Sequence, residues 1–88
     1  MADPAVIACP KDTWTKVASS VTTGLVWILG KKPNVYRQTY RTAGGAAPVG
    51  SVPEEKAFQG EVMEISAGAA IDVYLFPVGQ DGSVRVDL

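Results

Sequence analysis

"AIDVYLFPVGQDGSVRVDL", Ala70 to Leu88, decides how the chain is read. In its second half Val84, Val86 and Leu88 alternate with Ser83, Arg85 and Asp87, the period of a strand with one dry face and one wet face. In its first half Ile71, Val73 and Leu75 share a face, yet Tyr74 and Phe76 place apolar groups on the other. Between the halves, Gln80 and Asp81 are flanked by Gly79 and Gly82, residues that supply the backbone freedom of a tight turn. The stretch therefore predicts a β-hairpin whose first strand meets a core on one side and another chain on the other. Pro77, which lacks an N–H, marks a break in its pairing.

Working back toward the N-terminus, "VMEIS" at 62–66 reads as a short strand and "AGA" at 67–69 as the turn into the hairpin. "WTKVASSV" at 14–21 is rich in β-branched residues, and the following "TTG" offers Gly24 for a turn. "LVWIL" at 25–29 is apolar throughout, as in a strand covered on both faces or one turn of buried helix, and the short run between glycines favours the strand. "GKKPN" at 30–34 is a turn, and "VYRQTYRT" at 35–42 returns with Tyr36, Gln38 and Tyr40 on the face expected inside and Arg37 and Arg41 outside. The Gly/Ala/Pro-rich segment 43–61 reads as a long loop with a partly ordered tip at Phe58. Pro4 and Pro10 make 1–13 an extended arm or a frayed terminus. No stretch sustains the i, i+3, i+4 pattern of an amphipathic helix. The expected fold is all-β: a small antiparallel β-sandwich or jelly-roll-like barrel of six to seven strands with little or no helix, residues 14–88 forming one domain behind the arm.

Eighty-eight residues support one core, since a chain of this size buries only somewhat more than about 60 % of its unfolded surface. A net charge of −1 gives no global field for nucleic acid or an acidic membrane. Cys9 is the single cysteine and histidine is absent, so a disulfide within one chain and zinc sites built from cysteine and histidine clusters are excluded. Cys9 is expected as a small buried hydrophobe. The opening "MADPAVIACPKD" has neither a basic lead nor a long apolar run, so no secretory leader and no membrane association are expected.

"GLVWILGKK" at 24–32 resembles a phosphate-binding loop only superficially: five residues separate the glycines where four are needed, and lysine follows where a hydroxyl belongs. The carboxylates Asp3, Asp12, Glu54, Glu55, Glu61, Glu64, Asp72, Asp81 and Asp87 fall in loops or on outward strand positions, where they stay ionised and solvate the surface. No catalytic residue, cofactor or metal ligand is expected, and the chain is not expected to be an enzyme. Lys31, Lys32, Arg37 and Arg41 interleave with Tyr36 and Tyr40 in the manner of a small nucleic-acid-binding barrel, the alternative function. Strand geometry opposes it, because the tyrosines point away from the arginines. Trp14 and Trp27 are expected in the core.

One sandwich interior cannot absorb every apolar position. Leu25, Trp27 and Leu29 compete with Val26 and Ile28 for opposite faces, as Tyr74 and Phe76 do with Ile71, Val73 and Leu75. Contiguous apolar area left outside marks a partner surface, so Leu25, Trp27, Leu29, Tyr74 and Phe76 are the expected interface of a homo-oligomer.

The strings "KDTWTKVASSVTTGLVW", "YRQTYRTAGGAAP" and "AIDVYLFPVGQDGSVRVDL" together resemble small accessory virion proteins of tailed bacteriophages, capsid decoration (cement) proteins and head-fibre or spike bases. The resemblance lies in short strands and Thr/Ser/Ala/Gly-rich turns, from Asp12 onward. It implies a β-sandwich or jelly-roll, often a trimer, made in the host cytoplasm and seated on the head exterior, where it locks the major capsid protein. Under that reading Val6, Ile7, Pro10 and Phe58 would contact the shell.

Overall fold

In the computed structural model, residues 5–29, 35–49, 56–58 and 61–87 are described. They form β1 (Ala5–Cys9), β2 (Thr15–Leu29), β3 (Tyr36–Thr42), β4 (Lys56–Phe58), β5 (Val62–Pro77) and β6 (Gly82–Asp87). These make one six-stranded sheet in the order β1-β6-β2-β5-β3-β4, and every neighbouring pair is antiparallel. No helix occurs among the described residues. The all-β antiparallel expectation holds at that level. The sheet is open, with β1 and β4 at its ends, so it is not closed into a barrel.

Two expected turns are absent. β2 runs through "TTG" for 15 residues and β5 runs through "AGA" for 16. β-branched Thr22 and Thr23 stay extended, and the irregularity sits elsewhere. Where β2 advances from Lys16 to Val21, β5 moves only from Tyr74 to Ile71; where β2 then advances from Val21 to Thr23, β5 moves from Ile71 to Ser66. Extra residues thus fall first on one strand and then on the other, and such bulges bend and twist a sheet. Ser20 takes the positive φ, 54°, within this region. One bulge also turns consecutive Val17 and Ala18 inward, where both are buried.

The hairpin expected at Ala70–Leu88 is not formed. β6 pairs with β1 and with Leu25–Leu29 of β2, while the end of β5 pairs with β2 and β3. Gly79, at φ 84°, turns the chain as expected of it, but β6 is carried across to the far side of β2. The extended arm is likewise part of the sheet: Ala5–Cys9 pairs residue for residue with Gly82–Val86.

Long β2 and β5 run through both halves of the sheet, and the core fills its inner face. Cys9, Val17, Val21, Val26, Tyr36, Met63, Ile65, Val73, Leu75, Val84 and Val86 are buried there, with Ile7, Ile28 and Ile71 packed against them. Alternation in β6 and in the second half of β5 therefore assigns the inner face as the sequence pattern predicts. At one end of the sheet the turn after β1 is tied to the end of β5: Asp12 N–H donates to Pro77 O at 2.7 Å, and Gly79 N–H donates to the Asp12 carboxylate at 3.0 Å.

Candidate functional site

The outward face of the half built from β2, β5 and β3 is closed over by the chain's own side chains. Register places Arg37 opposite Phe76, Thr39 opposite Tyr74 and Arg41 opposite Asp72, and alternation puts all six on the outer side. Trp14 lies against Phe76, ring centroids 5.2 Å apart and tilted by 58°. The Arg37 guanidinium covers both rings, 4.4 Å from Phe76 and 5.4 Å from Trp14. Lys16 sits 5.9 Å from the Tyr74 ring. Such cation–π contacts each contribute about 0.5–1 kcal/mol when exposed. Tyr74 is only 4 % exposed, so this expected interface residue is already covered within one chain, and Phe76 is half-buried under Arg37 and Trp14.

Beneath that cluster lies Asp72, fully buried although the sequence reading placed it with the solvated carboxylates. Its carboxylate accepts from Ser20 N–H at 2.9 Å and Gly44 N–H at 3.1 Å, and Lys16 Nζ lies 3.5 Å away. The Ser20 N–H chiefly holds the Asp72 carboxyl below the usual carboxylate range, burial opposes it, and Gly44 and Lys16 add to the lowering. Asp72 thus pins the β2 bulge, through Ser20, to the turn that follows β3, through Gly44. One signal could have revealed it: Asp72 is the single charge in the apolar run from Ala69 to Val78.

The outward face of the other half, on β1, β6, β2 and the first part of β5, is less covered. Its central row is Val6, Arg85, Trp27 and Val62, set side by side by the strand registers. Trp27 is fixed by donating from Nε1 to Asp87 Oδ2 at 2.9 Å, Arg85 donates to the same oxygen at 3.3 Å, and the Arg85 guanidinium stands 5.4 Å from the Trp27 ring. Both tryptophans therefore lie on the outer face under arginines rather than in the core: Trp27 because the odd-numbered positions of this part of β2 point away from Val26 and Ile28, and Trp14, just ahead of β2, because it packs on outward Phe76 beneath Arg37. Leu25, Trp27 and Leu29 are half-buried, while Val6 is 67 % and Val62 40 % exposed.

Of the four residues expected to touch a shell, Val6 and Pro10 are exposed, Ile7 packs partly on the core, and the side chain of Phe58 lies outside the described residues. Pro10 lines an open recess with Ala8, Cys9, Asp81 and Gly82. Of the basic set, Lys31 and Lys32 lie outside the described residues. Tyr36 is buried in the core, Tyr40 is exposed on the same inner-pointing side of β3, and Arg37 is engaged with Trp14 and Phe76. The arginines and tyrosines do not share one surface. Cys9 is buried and free; burial pushes its thiol up to about 11, and burial followed by the neighbouring Cys9 pushes the Tyr36 hydroxyl up to about 12. Among the described residues no three of His, Cys, Asp and Glu gather to hold a metal ion, and no helix there is long and apolar enough to cross a membrane.

With this geometry in hand, comparison with protein-family models, curated proteins and solved structures finds no match. The outer face presents a tryptophan between aliphatic groups, held by one carboxylate and one guanidinium. Trp and Arg in such settings are the residue types that dominate binding energy at protein interfaces.

Proposed function

We propose that this protein is a non-catalytic structural subunit, a capsid decoration protein of a tailed-phage head that self-associates and attaches to the assembled shell from outside. The observation carrying the reading is the outward row Val6–Arg85–Trp27–Val62 with half-buried Leu25 and Leu29 beside it. A lone subunit leaves this largely apolar strip, crossed by Arg85, partly in water, and a protein lattice covers it. Trp27 is held in place by Asp87, so little ordering remains to be done on docking. The assignment to a phage head rests on the resemblance of the sequence to accessory virion proteins. Attachment is multivalent: an oligomer engaging a repeating lattice adds weak contacts into a tight one.

Co-sedimentation with assembled heads that lack the protein tests the proposal. The expected result is saturable binding that survives raised salt and is weakened by Trp27→Ala. Failure to co-sediment overturns the shell assignment. Binding to single-stranded nucleic acid that falls steeply with salt, and is lost in the Arg37→Ala, Arg41→Ala double variant, transfers the assignment to the nucleic-acid module.

A further inference from the structure

Strand β1 is an end of the sheet, and nothing among the described residues pairs with its outer edge. An edge strand presents a row of N–H and C=O groups turned away from its one neighbour, and proteins commonly guard such edges with charge. The other end, β4, carries Lys56 and follows Glu54 and Glu55 in sequence. β1, Ala-Val-Ile-Ala-Cys, has no charge anywhere between Asp3 and Lys11. Pro4 and Pro10 bracket it, and since proline has no N–H to give, strand addition is confined to the five residues between them.

We infer that β1 pairs with β1 of a second copy, antiparallel about a two-fold axis through Ile7, joining two sheets into one. The inference rests on the self-association proposed above and names the contact. In this register Val6 stands opposite Ala8 of the partner subunit, Ala5 opposite its Cys9, and the two Ile7 side chains lie together. A two-fold interface must complement itself, and this segment does so because no like charges are brought opposite one another. Val6, Ile7 and Ala8 also gain cover where it is now lacking. Ile7, on the inner face, packs against the core yet keeps part of its surface exposed. Val6, outward, is 67 % exposed, and Ala8 beside it is exposed as well. Pairing extends the inner apolar layer past Ile7 and brings two copies of the Val6–Arg85–Trp27 row onto one continuous outer face.

Sedimentation velocity on the full chain across the micromolar range tests this. The native protein is expected to form a dimer or a larger even-numbered species. Val6→Lys places two ammonium groups on one side of the junction and is expected to raise the dissociation constant about tenfold or more, with the circular dichroism spectrum unchanged because Val6 lies outside the core and with any fall in melting temperature dependent on protein concentration, as lost association requires. Mixing Val6→Lys with Ala8→Glu, which meet across the junction, is expected to restore association. Should Val6→Lys fail to fold, Ala8→Lys probes the same edge. Val6→Lys associating as tightly as the native chain overturns the β1 contact while leaving self-association standing, and a species of three copies alone overturns the two-fold pairing. A native chain that stays monomeric throughout overturns this contact and the self-association together.

Discussion

Tyr36 is 1 % exposed, and its hydroxyl has no hydrogen-bond partner among the described residues. An unmet buried hydroxyl costs about 1–3 kcal/mol of desolvation. Removing the oxygen forfeits its packing contacts, at about 0.1–0.2 kcal/mol each and so roughly 1 kcal/mol together. Tyr36→Phe is therefore expected to stabilise the fold by about 1 kcal/mol, which in a domain of this size raises the melting temperature by roughly 4–8 °C. Urea unfolding followed by tryptophan fluorescence, with the slope unchanged, reads the difference directly. A loss of stability of about 1 kcal/mol or more refutes the reasoning, since it means that the hydroxyl makes a bond. The same variant changes the alkaline limb. Folded Tyr36 keeps its proton up to about 12 and Cys9 up to about 11, against ordinary values of 10.0 and 9.0. The unfolded chain then binds fewer protons than the native one, so stability is full below the unfolded values and falls as pH rises through them. With Tyr36→Phe the fall is expected to end near 11, the value for Cys9.

Asp72 acts at the opposite end of the pH range: its native pKa lies below the ordinary 3.8, so its contribution is present above that value and lost as pH falls through the depressed one, and Asp72→Asn is expected to lower the neutral melting temperature while flattening the acid limb. Lys16→Met is expected to cost less than Asp72→Asn, because Lys16 is 42 % exposed and the backbone donors from Ser20 and Gly44 remain; equal losses would overturn this ranking. Leu75→Ala, at a site with no exposure, is expected to cost about 2–5 kcal/mol in urea unfolding, and a cost under about 1 kcal/mol would contradict its place in the core. Arg37→Ala uncovers Phe76 and Trp14 and is expected to shift tryptophan emission to the red with a loss of about 1 kcal/mol; unchanged emission would mean that the guanidinium does not cover Trp14.

Local alternation made β6 and the inner side of β5 legible: Val84, Val86, Ile71, Val73 and Leu75 are where period two places them. Partnership was not legible, because alternation says which face is dry and nothing about which strand lies alongside. Gly79 and Gly82 have turn chemistry, yet β6 pairs with β2 and β1 instead of returning along β5. Gly24 and Gly68 looked like turns and lie inside strands, since glycine tolerates extended backbone as readily as a turn. Surplus apolar positions put Leu25 and Leu29 on the outer face, where they are half-buried, whereas Trp27, also expected in the core, lies outside, and Tyr74 and Phe76 are covered by Lys16, Arg37 and Trp14, contacts made across strands distant in sequence. Asp72 was misplaced for the same reason, its donors being 52 and 28 residues away.

The strand order also fixes a schedule for folding. Among the described strands β1 is made before the other five, yet its neighbour in the sheet is β6, the latest of the six. During translation β1 has nowhere to dock, and the pairings of β2 with β5 and β6 must close long loops before they are rewarded, which places the domain among slow, non-local folders. The uncharged edge is therefore assembled at the end of the process, when the core that holds Ile7 and Cys9 already exists. On a chain still being made β1 lacks the β6 strand it pairs with, so its outer edge is displayed as a formed strand only on molecules that have finished folding.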